Sequence, residues 1–505
     1  MQSDKSIPRV SLFQAFIPVL VLILLLTFNV MFYGDMATSG ANQLALILAA
    51  LAAALVGAYH KVSFSKMLNG IVDSITASMS AILILLLIGA LAGTWLISGI
   101  VPTMIYYGLQ VLNPTIFLFA AVIVCAIVSV ATGSSWSTVA TVGIALLGIG
   151  KALNIGEGWI AGAIISGAYF GDKISPMSDT TNLAPAMAGT DLFTHIRYMM
   201  YTTVPSMILA LLIFLGAGIF TDYGTSAEST GALSAAVLQK FYISPILFIV
   251  PAIVIWMIVK KVNALPALLI GVLLGALFAI IFQPQIISEV AGATGSYAKQ
   301  SYMAIMNAMG GSVSVTTDNE IATSLLSSRG MAGMLNTIWL ILCALAFGGV
   351  MESVGLLKRI TSPLVRKAKS NGALVATTAG SCVFINVTAS DQYLSIVVPG
   401  KMFAQTYKER GLAPQNLSRT LEDAGTVTSV LVPWNTCGAT QTAVLGVSTF
   451  VYAPFCFFNI ISPFMTVLVA YLGFKIAKLS PAQMANVHPA QVSDEPSEKP
   501  VEYMQ

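Results

Sequence analysis

The stretch "GDKISPMSDTTNLAP", residues 171–185, decides how this chain is read. It places two aspartates, a lysine, an asparagine, two prolines and several hydroxyl residues between apolar flanks. A helix facing lipid tolerates neither that charge nor that broken backbone. Irregular backbone at membrane depth survives only against protein or a water-filled space. The stretch therefore predicts a break in a membrane helix that lines a polar interior.

Composition fits a membrane setting. Of 505 residues, 56% are apolar and 9% charged, where a soluble domain carries about 25% charged residues. The net charge of +3 is small. Cys125, Cys343, Cys382, Cys437 and Cys456 are scattered singly and read as packing residues, not as a zinc site or disulfide framework. No metalloprotease, P-loop or dinucleotide motif stands in a usable context, and no basic tract fits nucleic acid. No cofactor is expected. The expected partners are the lipid bilayer and small ions, with small organic acids and a homo-oligomer left open.

The first apolar run, Ala15 to Tyr33, is long enough for the hydrocarbon core at about 1.5 Å per helical residue. It lacks a small-residue cleavage site and reads as a retained span. Further runs predict spans at 42–59, 79–98, 159–190, 198–220, 241–259, 263–283, 335–355, 417–447 and 451–476. Two other regions, 115–150 and 371–404, have polar centres, "VATGSSWST" and "NVTASDQYLS". Both read as re-entrant hairpins. The predicted fold is an all-α polytopic membrane protein with about ten transmembrane spans, two re-entrant hairpins and broken helices.

Lysine and arginine orient this layout. With the N-terminus inside, 19 basic residues fall on inner segments and 4 (Lys151, Lys240, Lys299 and Arg329) on outer ones. The positive-inside rule then predicts both termini in the cytoplasm of a bacterial inner membrane. The expected organisation is a cytoplasmic N-terminus (1–14), a first membrane half (15–220), a linking span (221–262) and a second half (263–476) containing an outer loop (284–334). A disordered cytoplasmic tail (477–505) follows.

The halves echo one another. Thr132 and Ser134 fall on Thr388 and Ser390 at an offset of 256, and Pro176 falls on Pro433 at 257. The interrupted spans 159–190 and 417–447 run in opposite directions across the predicted membrane. Such a pattern predicts an inverted-topology repeat, whose paired breaks mark a midplane binding site in secondary transporters.

The residue types at the breaks suit a hard cation. Pro176 and Pro433 cannot donate backbone hydrogen bonds, which is expected to free the carbonyls of Asp172 and Ser429 as oxygen ligands. Ser175, Ser178, Asp179, Thr180, Thr181 and Asn182 are candidates to complete the shell with Thr132, Ser134 and Ser135. The second half offers Asn386, Thr388, Ser390, Asp391, Asn435 and Thr436. A charged carboxylate is costly at such depth, and one carboxylate can hold either a proton or a cation. Asp172 has a bland alternative, pairing with Lys173 or Arg197 at a membrane edge. Asp179, with no basic neighbour, is expected to lie deeper and to centre the site. Glu422 and Asp423 read either as an entry funnel or as partners of Arg419, and His195 as an interface anchor.

Residues 167–206, with the pattern G-D-x-x-S-P-x-S-D-T-T, resemble the NhaC-type sodium/proton antiporters, as does "EDAGTVTSVLVPWNTCGA" at 422–439. The resemblance implies a transporter, not an enzyme, in which Na⁺ and H⁺ are exchanged by alternating access. It also implies Asp172, Asp179 and the adjoining hydroxyls as site candidates. The family includes malate/lactate exchangers, so an organic-acid exchanger is the alternative reading, with Lys173 as the central basic candidate for a carboxylate. A distant alternative, an intramembrane aspartyl protease, rests on "FGD" at 170–172 alone, with Tyr169 where that motif wants glycine.

Overall fold

The structure is a computed structural model. It describes residues 10–480 apart from 34–36, 38, 112, 222–226, 261, 293, 319 and 369. Lys5, Arg9, Lys261, Lys369, Lys499 and tail residues 481–505 lie outside the described residues.

Among the described residues, seven helices are long and apolar enough to cross a membrane, or up to nine if two bent pairs each form one span. Three of them open the chain: α1 (Leu12–Tyr33), α2 (Ala41–Tyr59) and α3 (Phe64–Ile97). The third starts well before the expected residue 79. Ser63 caps it through Lys66 N–H, and serines carry the helix through its polar first half. Apolar side chains such as Leu20, Leu24, Leu51, Leu55, Leu212 and Leu273 remain exposed on helix surfaces. Such a surface suits lipid and not water. The chain is an all-α polytopic membrane protein.

The first repeated unit runs α4 (Ile100–Val111), α5 (Pro114–Thr132), a left-handed Gly133, α6 (Ser135–Thr138), a π-turn (Val139–Gly143) and α7 (Ile144–Ala152). The interrupted segment follows as α8 (Glu157–Ile174) and α9 (Asp179–Ala188), and then α10 (Leu192–Phe220). A linking region holds α11 (Ala227–Lys240), α12 (Ile249–Val259), α13 (Ala264–Phe282), α14 (Pro284–Ala291), α15 (Tyr297–Gly310) and α16 (Glu320–Leu325). The bend between α11 and the helix at 245–259 is 86°. After α17 (Leu335–Ser353), which packs on α2 and α3, the second unit begins. It comprises α18 (Leu356–Lys367), α19 (Asn371–Thr388), α20 (Gln392–Glu409), α21 (Pro414–Leu421), α22 (Thr436–Leu445), α23 (Thr449–Tyr452) and α24 (Phe457–Tyr471).

One offset relates the two units. Pro114 and Asn371, Glu157 and Pro414, Asp179 and Thr436, and Leu192 and Thr449 each begin corresponding helices 257 residues apart. The left-handed residues follow the same register: Gly133 matches Ser390 and Gly189 matches Gly446. The hairpin alignment read from sequence is thus one residue out. Ser134 corresponds to Asp391, and both cap the helix that follows the hairpin tip. The mismatch arose because serine occupies, at φ 60°, a position that favours glycine.

Small residues let the first hairpin close on the first break. A Cβ on Gly167 would stand 2.3 Å from the Val122 carbonyl oxygen, and one on Gly171 2.4 Å from that of Ala126. This glycine pair, four residues apart, draws α8 onto α5. Ser129 then donates to the Ala168 carbonyl at 2.6 Å. Asp172, next in the chain, is carried to the hairpin tip by this contact.

The start of the expected tail is ordered. The Leu479 and Ala413 amides donate to the Gly411 and Ala477 carbonyls at 2.8 and 3.0 Å. Residues 477–480 therefore pair with the turn before α21, because that turn offers open backbone groups.

Candidate functional site

Both breaks and both hairpin tips meet at one cavity of about 120 Å³. Asp172, Ser178, Asp179 and Thr180 line it from the first break, and Ser134 and Ser135 from the first tip. The second half contributes Asp391 and Thr436. A volume of this order accommodates a few waters or a partly hydrated ion.

Asp172 is buried, and its Oδ2 accepts from Ser135 Oγ at 2.7 Å. It pairs with neither Lys173 nor Arg197 among the described residues. Asp179 is exposed, in the first turn of α9, where the helix dipole favours a carboxylate. This corrects the expected order of depth: Asp172 is the enclosed group and Asp179 the open one. The reason is the loop at Ser175–Ser178, which turns the second half-helix so that its first residue faces the opening.

Seven expected ligands serve the backbone instead. Ser175 donates to the Val130 carbonyl at 2.9 Å, pinning the break to the hairpin. Thr181 donates to the carbonyls of Lys173 and Asp172 at 2.9 and 3.2 Å. The Asp172 carbonyl also accepts from the Ser175 amide at 3.1 Å, so it is not freed for an ion. Likewise the Ser429 carbonyl accepts from the Val432 amide at 3.3 Å. Proline removes one donor at each break, and the new turn supplies another.

Asn182 bonds back to the Pro176 and Ser178 carbonyls, and Thr132 lies against Thr138 and the Ser134 carbonyl. In the second half Asn386 donates to the Gly425 carbonyl and Thr428, and Thr388 to the Phe384 carbonyl. Asn435 caps α22 and reaches Asn386. The Ser390 hydroxyl is buried, while its carbonyl accepts from the Thr436 amide at 2.9 Å. Each hairpin tip is thereby stitched to the break of its own half.

Other lining residues escaped the sequence reading: Ser78 and Ser80 on α3, with Trp136, Gln392 and Tyr393. Ser78 donates to Asp391 Oδ2 at 3.2 Å. Ser74 and Ser78, one turn apart and both buried on α3, were the available signal.

Lys173 does not face the cavity. It forms a fully buried ion pair with Asp423 of the second half, supported by Ser462 at 3.0 Å from the ammonium. Thr202 donates to the other Asp423 oxygen at 2.8 Å. Arg419 is also fully buried, but stacks on the Tyr198 ring at 4.7 Å in place of pairing with Glu422 or Asp423. His195 is not an interface anchor: it is buried, with Nδ1 2.9 Å from Ser418 Oγ.

The left-handed Gly133 tip sits on Met177, where an added Cβ would come within 2.8 Å of the Met177 carbonyl carbon. Gly133→Ala must therefore lift the tip from the break, beyond the left-handed backbone cost of about 1–2 kcal/mol. Membrane insertion is expected to persist while the activity of the site falls at least about tenfold, the effect of about 1.4 kcal/mol on a barrier. Unchanged activity would show that this contact is not needed.

Residues 167–474 match the model of the Na⁺/H⁺ antiporter family. The chain is 38% identical to the Na⁺/H⁺ antiporter NhaC of Alkalihalophilus pseudofirmus, over 86% of this chain and 90% of that protein. It is 37% identical to the malate-2H⁺/Na⁺-lactate antiporter of Bacillus subtilis, over 85% and 89%. An arginine/ornithine antiporter, ArcD of Halobacterium salinarum, is 33% identical over 83% and 84%. The cavity shared by two broken helices, together with this similarity along most of the sequence, leads to one conclusion: the chain belongs to the Na⁺/H⁺ antiporter family.

Proposed function

We propose that the protein extrudes Na⁺ in exchange for H⁺, with both ions competing for the carboxylates of the shared cavity. The observation that carries this reading is the cavity's lining. Three aspartates and several hydroxyls face it, and no lysine, arginine or histidine does so among the described residues. Oxygen ligands with net negative charge select a hard cation. Na⁺ is the cargo, held in this reading by Asp172 and Asp179 with Ser134, Ser135, Ser178, Thr180 and Thr436 nearby. Protonation of a carboxylate removes the charge that retains it.

Alternating access is proposed to follow from movement of the hairpins and breaks, which form a unit in each half, against α3 and its neighbours. In this reading the halves enter the membrane in opposite directions, which the charge distribution supports. The location is a bacterial cytoplasmic membrane with both termini inside.

In proteoliposomes a Na⁺ gradient is expected to drive proton movement in the opposite direction. Absence of coupled flux from correctly inserted protein would reject the reading. The organic-acid alternative draws on the similarity to the malate/lactate relative. It is disfavoured because Lys173 is neutralised by Asp423. Counterflow of labelled malate or lactate, with and without Na⁺, separates the two.

A further inference from the structure

Glu422 opens a π-turn, Glu422–Thr426, at the point where the second broken helix leaves regular geometry. Such turns occur often at functional positions. The side chain is fully buried, and it does not line the cavity. Its Oε1 accepts from Thr180 Oγ1 of the opposite half at 3.1 Å. Its Oε2 makes no hydrogen bond of good geometry among the described residues, although the Thr426 hydroxyl of the same turn, itself buried and unbonded, acts on the carboxylate. The only other acidic residue of this turn, Asp423, is committed to Lys173, Thr202 and Ser462.

Thr180 continues the connection. Its hydroxyl lies 3.2 Å from Ser178 Oγ, and both residues line the cavity beside Asp172 and Asp179. Because Thr180 donates to Glu422, Ser178 is the donor in the second contact. The result is an oriented hydroxyl chain from cavity to carboxylate. Lys173 and Asp172, both on α8, are charged groups that act on Glu422 electrostatically. Arg419 lies one turn before it on its own element, and His195 faces that element through Ser418.

We propose that Glu422 is a proton-carrying residue of the exchange, passing its proton to the cavity carboxylates through Thr180 and Ser178. The inference rests on the antiport reading above. When Glu422 takes up a proton, its O–H donates to Thr180 and both hydroxyls turn, Thr180 donating to Ser178 and Ser178 to a cavity aspartate. The Glu422 proton then moves to the Thr180 oxygen, the Thr180 proton to Ser178, and the Ser178 proton to that aspartate. Glu422 ends ionised and the aspartate neutral, so the total charge is unchanged. The neutralised aspartate then releases Na⁺. The hydroxyls finish with their hydrogen bonds reversed and are reset when Glu422 is next protonated.

Glu422→Gln keeps the size and the acceptor for Thr180 but cannot release a proton. Purified native protein, Glu422→Gln and Glu422→Asp are reconstituted, and two rates are measured for each: Na⁺-driven proton flux and exchange of radioactive Na⁺ for Na⁺. Glu422→Gln is expected to lose proton flux about a hundredfold, in the range that a positioned proton-transfer group contributes, while Na⁺/Na⁺ exchange stays within about threefold of native. Glu422→Asp is expected to recover part of the proton flux. Proton flux within threefold of native in Glu422→Gln overturns the proposal. So does equal loss of both rates, or failure of both variants to accumulate in the membrane, since each marks a structural role. Absence of coupled flux in the native protein rejects the antiport reading instead.

Discussion

Asp172→Asn is expected to abolish Na⁺-dependent proton flux while the protein still inserts and keeps its fold. Asparagine preserves the shape and can still accept from Ser135, so the 2.7 Å contact to the first hairpin need not be lost. What disappears is the fixed charge in a buried position, together with the ability to exchange a proton. A loss of at least about a hundredfold is expected, equivalent to about 2.7 kcal/mol. Asp179→Asn serves as the informative partner experiment. If Asp179 only complements the helix dipole, its replacement costs about 0.3–1 kcal/mol of stability and leaves transport intact. If it holds the ion, flux falls with little change in stability. Near-native flux in the Asp172 variant would remove that residue from the ion site.

The second large effect concerns Lys173 and Asp423, which join the halves inside the protein with neither side chain exposed. Breaking a buried pair by removing one member leaves the other charge uncompensated, at a cost of about 3–5 kcal/mol. Lys173→Met and Asp423→Leu are therefore each expected to lower the thermal denaturation midpoint in detergent sharply. The double variant restores most of the loss, because replacing both charges by apolar groups is often neutral. Thr202 and Ser462 then lose a partner, which limits the recovery. Single variants as stable as the native protein, or a double variant no better than either, would contradict the structural role of the pair.

The sequence made the broken helix at 171–185 legible because proline, carboxylates and hydroxyls stood together in an apolar setting. It also exposed the duplication, since Pro176 and Pro433 mark matching turns. The register of the hairpins was harder. Gly133 and Ser390 share a backbone conformation but not a residue type, so similarity of side chains favoured the wrong alignment by one position. Asp172, Asp179 and their neighbouring hydroxyls were identifiable as polar groups, but their division of labour was not. Thr181 and Ser175 spend their hydroxyls on carbonyls exposed by the turn, a demand visible only once the backbone path is known.

The Lys173–Asp423 pair was hidden for a different reason. Each residue has closer charged neighbours in sequence, Asp172 for one and Arg419 for the other. Helix direction decides the outcome: α8 presents Asp172 to the hairpin and Lys173 to the opposite half. Ser78 was missed because α3 begins at Phe64, and its polar turn fell outside the predicted apolar span.

The most direct test of the shared ion site is the dependence of Na⁺ affinity on pH, measured by calorimetry on the purified protein. Competition between one proton and one Na⁺ predicts an apparent Kd that rises about tenfold for each unit of falling pH, once the site is largely protonated. Asp172→Asn should remove that dependence along with high-affinity binding. A Na⁺ affinity that stays constant across the acidic range in the native protein would contradict competition at these carboxylates.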